Sequence, residues 1–286
     1  MIHVVIPVHN RLKLTIDCIN SLKKQEGINN INLIVVDDGS TDGTEEYFKN
    51  INDVTVLKGN GNLYWCGAIN YGIEYALKIS NLNDWVLVVN NDAILKNNAI
   101  LNLLNIAKKN NRKAIVSSLT LSKEDRMTVI KSGTIVENWF FNKTNHIYSG
   151  YNINNIINKD PIKVDFLTGR CVLHPIEIFS KVGNYDSKTF QHYGGDDEFS
   201  MRVKQSGFAT LLCPSSIVYL SSNNKKGLNR NILYFFFYTL FNIKSSSNII
   251  NKFKLTMKVV PYYARLTFFL IGIIKSIYIF LKNDSK

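Results

Sequence analysis

Residues 4–42 read VVIPVHNRLKLTIDCINSLKKQEGINNINLIVVDDGSTD, and they contain two strand patterns separated by one helix pattern. Val4 to Val8 and Leu33 to Val36 are short, β-branched and apolar on both faces, as strands buried within a parallel sheet require. Between them, apolar residues recur at the three- and four-residue spacing of an amphipathic helix. This stretch therefore predicts a strand, a helix and a second strand parallel to the first.

The same alternation continues to about residue 120. Further buried strands are predicted at Val54 to Leu57 and at Trp85 to Val89, and a helical pattern follows each of them. Strands that alternate with helices indicate an α/β fold built on a doubly wound, Rossmann-like, mostly parallel sheet. The alternation then weakens, and we expect residues 121–224 to complete the same domain. Closing strands are expected at Ala209 to Cys213 and at Ile217 to Leu220.

The C-terminal end carries most of the net charge. The 286 residues hold 34 basic and 22 acidic side chains, a formal net charge of +12, and residues 225–286 contain 11 of the bases and one acid. Basic residues set among Phe, Ile and Tyr are typical of amphipathic helices that lie on anionic membranes, and they fit lipid better than nucleic acid. The apolar runs at 231–243 and 266–281 are shorter than the about 20 residues of a spanning helix. A peripheral membrane tail is therefore expected, with packing of its helices on the rest of the chain as the alternative.

Cysteine usage and the N-terminal sequence bear on the cellular compartment. The cysteines form no CxxC pair and lack the density of a disulfide scaffold, which favours a reducing compartment. The chain runs from Met1 into a strand pattern without the features of a signal peptide, so we expect a cytoplasmic location. The histidines at 3, 146, 174 and 192 have no metal-ligand spacing, and no zinc site is predicted.

Polar residues follow three of the predicted strands. The first strand ends in Pro7-Val8-His9-Asn10, the second in Asp37-Asp38-Gly39-Ser40-Thr41-Asp42, and the fourth in Asn90-Asn91-Asp92. Ligands of open parallel sheets bind at the carboxyl ends of the strands, where crowded carboxylates need donors or a cation. Asp92 is the obvious ligand for Mg²⁺ or Mn²⁺ holding a diphosphate. The chain lacks the glycine-rich dinucleotide and P-loop motifs, so neither of those sites is supported.

These motifs resemble those of family-2 glycosyltransferases with the GT-A fold, in particular the bacterial rhamnosyltransferase-like members that build surface polysaccharides such as O-antigen or capsule. The resemblance covers nearly the whole chain. It implies that Asp38 contacts a uracil or thymine base with support from Asp37, and that Asp92 binds Mn²⁺ or Mg²⁺ as the kept aspartate of a DxD-like motif. The nucleotide-binding residues that it implies are Pro7, His9, Asn10, Asp37, Asp38, Gly39, Asn70 and Asn91.

Two later segments extend the resemblance. Residues 165–169, DFLTG, are similar to the segment that forms the floor of the acceptor-binding site. Residues 195–202, GDDEFSMR, resemble the region that carries the catalytic base. The catalytic residue implied is Asp196, with Asp197 and Glu198 as fallbacks, and the substrate-binding residues are Trp65, Thr168 and Gly169. Trp65 is expected either to stack on a sugar ring or to be a core residue. Leu220 stands where many members of the family carry a metal-binding histidine.

The chemistry that this resemblance implies needs few groups. A nucleotide sugar carries its own leaving group at C1, so direct displacement requires stabilisation of the departing diphosphate and one base for the acceptor hydroxyl. Asp196 begins a predicted helix, whose dipole would keep the carboxylate ionised. A single base without a second nucleophilic carboxylate implies inversion at C1.

The function expected is an inverting, metal-dependent hexosyl transfer from a UDP- or dTDP-sugar to a polyprenyl-diphosphate-linked glycan at the cytoplasmic face of the bacterial membrane. Residues 1–120 would bind the donor, residues 121–224 would bind the acceptor and supply the base, and residues 225–286 would bind the anionic membrane surface. One alternative is a non-catalytic GT-A subunit that binds only sugar nucleotide or membrane. Another is a nucleotidyltransferase, which would require a basic phosphate-gripping loop near the first strand.

Overall fold

A large mixed sheet forms the centre of the structure, a computed structural model that describes residues 1–130, 132–220 and 240–282. The strands are β1 (Ile2–Val8), β2 (Ile31–Asp37), β3 (Val54–Lys58), β4 (Trp85–Val89), β5 (Ile94–Leu95), β6 (Ala114–Ser122), β7 (Gly133–Asn138), β8 (Lys143–His146), β9 (Ile162–Lys163), β10 (Phe166–Leu167), β11 (Cys171–Pro175) and β12 (Ala209–Leu220). The α-helices are α1 (Leu12–Lys23), α2 (Thr44–Lys49), α3 (Tyr64–Ile79), α4 (Ala99–Lys109), α5 (Glu177–Val182), α6 (Gly195–Gln205), α7 (Ile249–Val259) and α8 (Arg265–Lys282).

The central sheet confirms the predicted fold class. Its strand order is β3-β2-β1-β4-β11-β6-β12-β5, with β9 also paired to β12. The four strands predicted first are β1 to β4, all parallel to their neighbours within this group, whereas β11 runs antiparallel to both β4 and β6. The two predicted closing strands form one strand, β12, whose pairing with β6 shifts between Cys213 and Ile217. A second sheet is antiparallel, in the order β10-β7-β8.

Helices cover both faces of the central sheet, which explains why its strands are apolar on both faces. Ile6 of β1 belongs to the same buried cluster as Leu22 of α1, whereas Val5 belongs to the opposite cluster with Ile73 of α3. Successive strand residues point to opposite faces, and each fully buried side chain of this size contributes about 1.5–3 kcal/mol. Gly72 lets α3 approach the sheet closely, because a Cβ there would lie 2.3 Å from Cγ1 of Val5. The packed helices hold the carboxyl ends of the strands in fixed positions.

The C-terminal helices pack on the second half of the chain. α7 contacts α6, and Val259 of α7 is buried with Phe166 and Met201. The predicted domain boundary after residue 224, together with the basic residues up to 230, lies outside the described residues. The 20 residues Tyr262–Leu281, with a mean hydropathy of 1.8, are long and apolar enough to cross a membrane by length and composition alone. The expectation that the tail lacks a stretch of this length was wrong, because the segment also includes Arg265 and the turn before it.

Candidate active site

The carboxyl ends of β1, β2 and β4 lie side by side at one edge of the central sheet. β1 pairs with both of the other strands, and Val8 is opposite Asp37 where β1 and β2 end. The N–H of Asp38 continues this pairing by donating to the carbonyl oxygen of Val8 at 2.9 Å. Pro7 is buried within β1, directly before the strand ends. The three polar strand-end motifs therefore meet at one edge, as the parallel topology requires.

The segments that follow β1 and β2 are joined by hydrogen bonds. Asn10 has a left-handed φ of 52°, its N–H donates to Oγ of Ser40 at 2.9 Å, and its Oδ1 accepts from the N–H of Thr41 at 2.7 Å. Nδ1 of His9 lies 2.7 Å from the carbonyl oxygen of Asp38. His9 and Asn10 are both exposed. The two loops thus form a cross-linked polar rim that is open to solvent.

Asp37 and Asp38 are buried beneath this rim. Oδ1 of Asp38 accepts from the N–H of Gly61 at 2.8 Å, and Oδ2 accepts from the N–H of Tyr64, the first residue of α3, at 3.0 Å. Asp37 accepts a backbone N–H of its own loop at 2.9 Å. Gly39 has a φ of 73°, a conformation that glycine adopts without strain. Each carboxylate oxygen has two acceptor positions, so Asp38 keeps capacity for a donor on a ligand.

Asp92 has one buried oxygen without a hydrogen-bond partner in the described part of the chain. Its Oδ2 accepts from Nη1 of Arg11 at 3.2 Å, while Oδ1 is the buried, unpaired atom. Nδ1 of His192 is unpaired in the same sense. Burial lowers the pKa of His192, and the positive charges of Lys244 and Arg11 lower it further. Burying a polar atom without a partner costs free energy, so these two atoms are candidates for contacts with a ligand.

A divalent cation fits the chemistry of Asp92. Mg²⁺ and Mn²⁺ prefer hard oxygen ligands such as a carboxylate. Across residues 1–130, 132–220 and 240–282, no group of three or more His, Cys, Asp and Glu side chains is arranged to hold a metal. A cation at Asp92 would therefore take its remaining ligands from substrate oxygens and water. Leu220 is 6% exposed and belongs to the apolar core, so it supplies no ligand.

Trp65 connects the end of β4 to the start of α6. Its Nε1 donates to Oδ1 of Asn90 at 2.9 Å. Its ring is so close to Gly169 that a Cβ there would lie 2.3 Å from Cη2. The N–H of Gly169 in turn donates to Oδ2 of Asp196 at 3.1 Å. Trp65 is half-buried and packs edge-on against the ring of Tyr185, which agrees with the core interpretation more than with an open stacking platform.

Contacts at the N-terminal end of α3 bring together the segments that carry Asp38, Asp92 and Asp196, although these segments are distant in the sequence. Asp38 binds the first residue of this helix, and the second residue, Trp65, contacts the segments that carry the other two aspartates. Burial lowers the pKa of Arg170, while the charges of Asp196 and Asp92 both raise it. The half-buried Arg170 therefore lies within electrostatic reach of two of the three carboxylates.

The first turn of α6 holds three acids with different surroundings. Asp196 is half-buried, and its Oδ1 accepts from the N–H of Asp197 at 3.1 Å. Asp197 is also half-buried. Glu198 is 6% exposed at its side chain, and Arg202 donates to its two oxygens at 2.7 and 2.9 Å. Glu198 is therefore held in a bidentate ion pair, whereas Asp196 is bonded to the loop of Gly169.

Asn91 lies against α1 rather than at the open edge of the sheet. It is 7% exposed, and its Nδ2 donates to Oγ1 of Thr15 at 3.1 Å. Its neighbour Asn90 instead binds Trp65, and Asp92 binds Arg11. Residues 90–93 form a turn closed by the bond from the N–H of Ala93 to the carbonyl oxygen of Asn90 at 3.1 Å, and within this turn Asn91 faces Thr15 of α1. The structure therefore does not present Asn91 to a nucleotide.

Asn70 and Thr168 also have partners within the protein. Nδ2 of Asn70 donates to the carbonyl oxygen of Tyr185 at 2.8 Å, and its Oδ1 accepts from the N–H of the same residue at 3.0 Å. The hydroxyl of Thr168 donates to the carbonyl oxygen of Ser132 at 3.0 Å. Both side chains hold loops around the site in place. These contacts do not bring either side chain to the three aspartates.

Arg170 and His192 are residues near the site that sequence reasoning missed. Arg170 directly follows the segment that ends in Gly169, and a lone base beside that segment was a signal that could have identified it. His192 gave no signal, because its neighbours in sequence have no ligand spacing. Asn90 was part of a recognised motif, but its bond to Trp65 joins residues 25 apart in sequence and is invisible to local patterns.

Comparisons with known proteins bear on the family and the fold. Residues 3–182 match the family model for Glycosyl transferase family 2. Glycosyltransferase GlyG of Streptococcus pneumoniae serotype 4 (strain ATCC BAA-334 / TIGR4) is 34% identical over 104 residues, which are 35% of this chain and 33% of that protein. The aligned part thus spans about a third of that relative. The crystal structure of GalNAc-T7 with UDP, GalNAc and Mn²⁺ has a TM-score of 0.60 and 16% identity, over 94% of this chain and 53% of that one. This likeness concerns the fold, which is similar to that of GT-A glycosyltransferases.

Proposed function

Because the chain belongs to glycosyl transferase family 2, we propose that it moves a sugar from a UDP- or dTDP-sugar to a hydroxyl of a polyprenyl-diphosphate-linked glycan, with inversion at the anomeric carbon. Family and fold identify a glycosyltransferase. The proposal adds the donor, the acceptor, the cation and a rhamnosyltransferase-like role in bacterial O-antigen or capsule synthesis. The observation that carries it is that Asp38 binds the first residue of α3, while the second residue, Trp65, contacts the segments that carry Asp92 and Asp196.

The nucleotide of the donor is proposed to bind at the ends of β1 and β2. His9 and Asn10 form an exposed polar rim there, and Gly39 lies in the same loop system. Asp38 keeps acceptor positions that an N–H of uracil or thymine could use, and Asp37 supports the loop around it. GalNAc-T7 crystallised with UDP and Mn²⁺, which supports a nucleotide donor and a cation for a protein of similar fold.

Asp92 is proposed to hold Mn²⁺ or Mg²⁺ through Oδ1, the oxygen that lacks a partner among the described residues. When bound, the cation would neutralise negative charge on the departing diphosphate. Arg11 donates to the other oxygen of Asp92. Arg170 is close enough to Asp92 and Asp196 for their negative charges to raise its pKa. Both guanidinium groups are proposed to add positive charge where the diphosphate leaves.

Asp196 is proposed to accept the proton of the attacking hydroxyl. As the hydroxyl oxygen forms its bond to C1, the bond from C1 to the phosphate oxygen breaks, and its electron pair leaves with the diphosphate. One oxygen of Asp196 is positioned by the N–H of Gly169. Asp197 is the fallback base, whereas Glu198 is less suited because acting as a base would disrupt its bidentate pair with Arg202. A single displacement inverts C1.

A lipid-linked acceptor requires the enzyme to work beside a membrane. We place it as a peripheral protein at the cytoplasmic face. Residues 240–282 contain seven basic and no acidic side chains, and such a segment is attracted to anionic lipid by about 1 kcal/mol per base near the surface. The transferred sugar would then be added to glycans whose diphosphate remains anchored in that membrane.

Substitutions of the proposed base, Asp196, and of its neighbour, Asp197, test the proposal. Release of nucleotide from a panel of UDP- and dTDP-sugars is measured with Mn²⁺ and a lipid-linked acceptor. We expect Asp196→Asn to lose about a hundredfold or more in turnover while still being stabilised thermally by nucleotide, and Asp197→Asn to retain turnover. The reverse result would move the base to Asp197. A wild-type protein that binds nucleotide but transfers nothing, with and without Mn²⁺, would favour a non-catalytic subunit.

Binding of the cation is tested separately, through the melting temperature of the protein. We expect Asp92→Asn to reduce the shift in melting temperature that Mn²⁺ produces in the presence of UDP or dTDP, because the variant replaces a charged ligand by a neutral one. Asp17→Asn, a change of equal charge on α1, is the matched control. An undiminished Mn²⁺ shift in Asp92→Asn would remove Asp92 from the proposed site.

A further inference from the structure

The two C-terminal helices leave a broad apolar surface exposed. Leu266, Leu270 and Ile274 recur every four residues on α8 and are 71%, 48% and 63% exposed. Phe253 and Met257 of α7 are also exposed, and the rings of Phe253 and Phe269 are in edge contact at 5.4 Å. Only 11% of the apolar window in Tyr262–Leu281 is buried. Apolar surface on this scale marks an interaction site.

A second apolar element lies beside α8. Phe140 and Phe141, at the tip of the β7–β8 hairpin, are 44% and 63% exposed. The next residue, Asn142, donates through Nδ2 to the carbonyl oxygen of Phe268 at 2.9 Å, and the ammonium of Lys275 donates to the carbonyl oxygen of Asn142. The hairpin tip and α8 are therefore joined.

These bonds bear on how α8 meets a membrane. Phe268 and Lys275 are seven residues apart, which is about 10 Å along a helix, so both bonds hold the middle of α8 to the hairpin. Behind its apolar tip, the hairpin carries the ion pair between Lys143 and Glu137. A helix that crosses the about 30 Å hydrocarbon core would have to leave this hairpin or bury its charges. The observed docking is compatible with a helix that lies along the surface.

Charge identifies the partner. Residues 240–282 contain seven basic and no acidic side chains, whereas the 224 residues at the start of the chain are nearly neutral. Association with a second copy through this surface would bring two cationic segments together, which electrostatics opposes. An anionic lipid surface complements both the apolar side chains and the bases.

We propose that the exposed faces of α7 and α8, together with the Phe140–Phe141 tip, bind the surface of an anionic bilayer, with α8 in the membrane plane and not across it. This inference rests on the proposed function at a membrane and deepens it by naming the contact surface and its orientation. The hairpin tip belongs to the half of the chain that carries Asp196, so its insertion fixes the active site relative to the lipid.

Vesicle binding tests the surface. The full chain is sedimented with vesicles of phosphatidylcholine and phosphatidylglycerol, and with vesicles of phosphatidylcholine alone. We expect binding to the anionic vesicles and a loss of about tenfold or more in the double variant Phe140→Ser and Phe141→Ser. Leu82→Ser, which removes a residue that is 85% exposed in the loop before β4, is the control and should bind like the wild type. Unchanged binding of the double variant would refute the role of the hairpin tip.

Thiol labelling tests the orientation. The four native cysteines are buried, so a cysteine introduced at Tyr262 or at Leu281 reports on one end of the apolar segment. If α8 lies in the plane, both positions are on the outer side of the membrane, so labelling by a membrane-impermeant reagent added outside should be the same before and after the vesicles are permeabilised. Labelling of one position only until the vesicles are permeabilised would overturn the inference. Release of nucleotide with a water-soluble acceptor is measured in parallel, so a failure of transfer is distinguished from a failure of membrane binding.

Discussion

Replacing Gly169 by alanine should displace the ring of Trp65, and this displacement should disturb both the end of β4 and the start of α6. A Cβ at residue 169 would lie 2.3 Å from Cη2 and 2.4 Å from Cζ2 of Trp65, whereas carbon atoms in contact are about 3.5–4.0 Å apart. Trp65 has little freedom to move, because its ring packs on Tyr185 with centroids 5.7 Å apart and its Nε1 is bonded to Asn90. The variant must therefore displace the ring or the loop that bonds to Asp196.

Two contributions determine the size of the effect. Overpacking a buried contact costs about 1–3 kcal/mol, and the bond from Trp65 to Asn90 contributes about 0.5–1.5 kcal/mol if it is lost. We expect the free energy of unfolding, measured by denaturant titration, to fall by about 2–4 kcal/mol. Because the N–H of Gly169 also positions Asp196, turnover measured by nucleotide release should fall by about tenfold or more under conditions where the variant is folded.

A double-mutant cycle isolates the clash. In a Trp65→Leu background the ring is absent, and Gly169→Ala should then cost less than about 1 kcal/mol. Gly67→Ala is the matched control, because its Cβ would meet Leu63 at an ordinary 3.4 Å within α3, and alanine favours helix. An unchanged free energy of unfolding in Gly169→Ala, or an equal cost in both backgrounds, would refute the reasoning.

Three further predictions follow from buried contacts. Glu198→Gln should lower the free energy of unfolding by about 1–3 kcal/mol, because Arg202 loses its charged partner, and a variant of full stability but no turnover would instead indicate a base at this position. Gly72→Ala should destabilise by about 1–3 kcal/mol through contact with Val5, and Val5→Ala should relieve part of this cost in denaturant titrations. Burial lowers the pKa of His174 to about 4, while its unfolded value is about 6.5, so between these pH values the unfolded chain binds the proton and the folded protein does not. Stability should therefore fall by up to about 3 kcal/mol on acidification through that window, and His174→Gln should flatten this dependence; an equally steep profile in the variant would contradict it.

The first four strands could be predicted because burial in the sheet requires apolar residues, and these are visible in the sequence. β1, β4 and most of β2 are buried between helices, so both of their faces must be apolar, and a short β-branched run satisfies this condition, whereas the edge strand β3 is mostly half-buried. The direction of β11 is different. It is inserted antiparallel between β4 and β6, and a buried five-residue run has the same appearance in either direction. β11 was not among the strands predicted from the sequence, so the local pattern that identified β1 to β4 revealed neither its existence nor its direction.

The candidate site also has one part that could be predicted from the sequence and one part that could not. The position of the acidic motifs at one sheet edge follows from parallel topology, and this part was predictable. The partner of each side chain was not, because the decisive bonds join distant residues: Trp65 to Asn90 across 25 positions, and Gly169 to Asp196 across 27. The expectation for Asn91 differed from the structure for this reason, since its partner Thr15 is on a helix 76 positions away.

Helix geometry explains why three consecutive acids have different surroundings. Successive residues of an α-helix are rotated by about 100°, so Asp196 and Glu198 point about 200° apart. Glu198 therefore meets Arg202, one turn further along α6, while Asp196 meets the loop of Gly169. An alignment error of two residues would exchange these faces, whereas an error of one residue would assign the base to Asp197, about 100° around the helix. The case for Asp196 consequently depends on its contact with Gly169, and through Trp65 with the end of β4, more than on its place in a sequence motif.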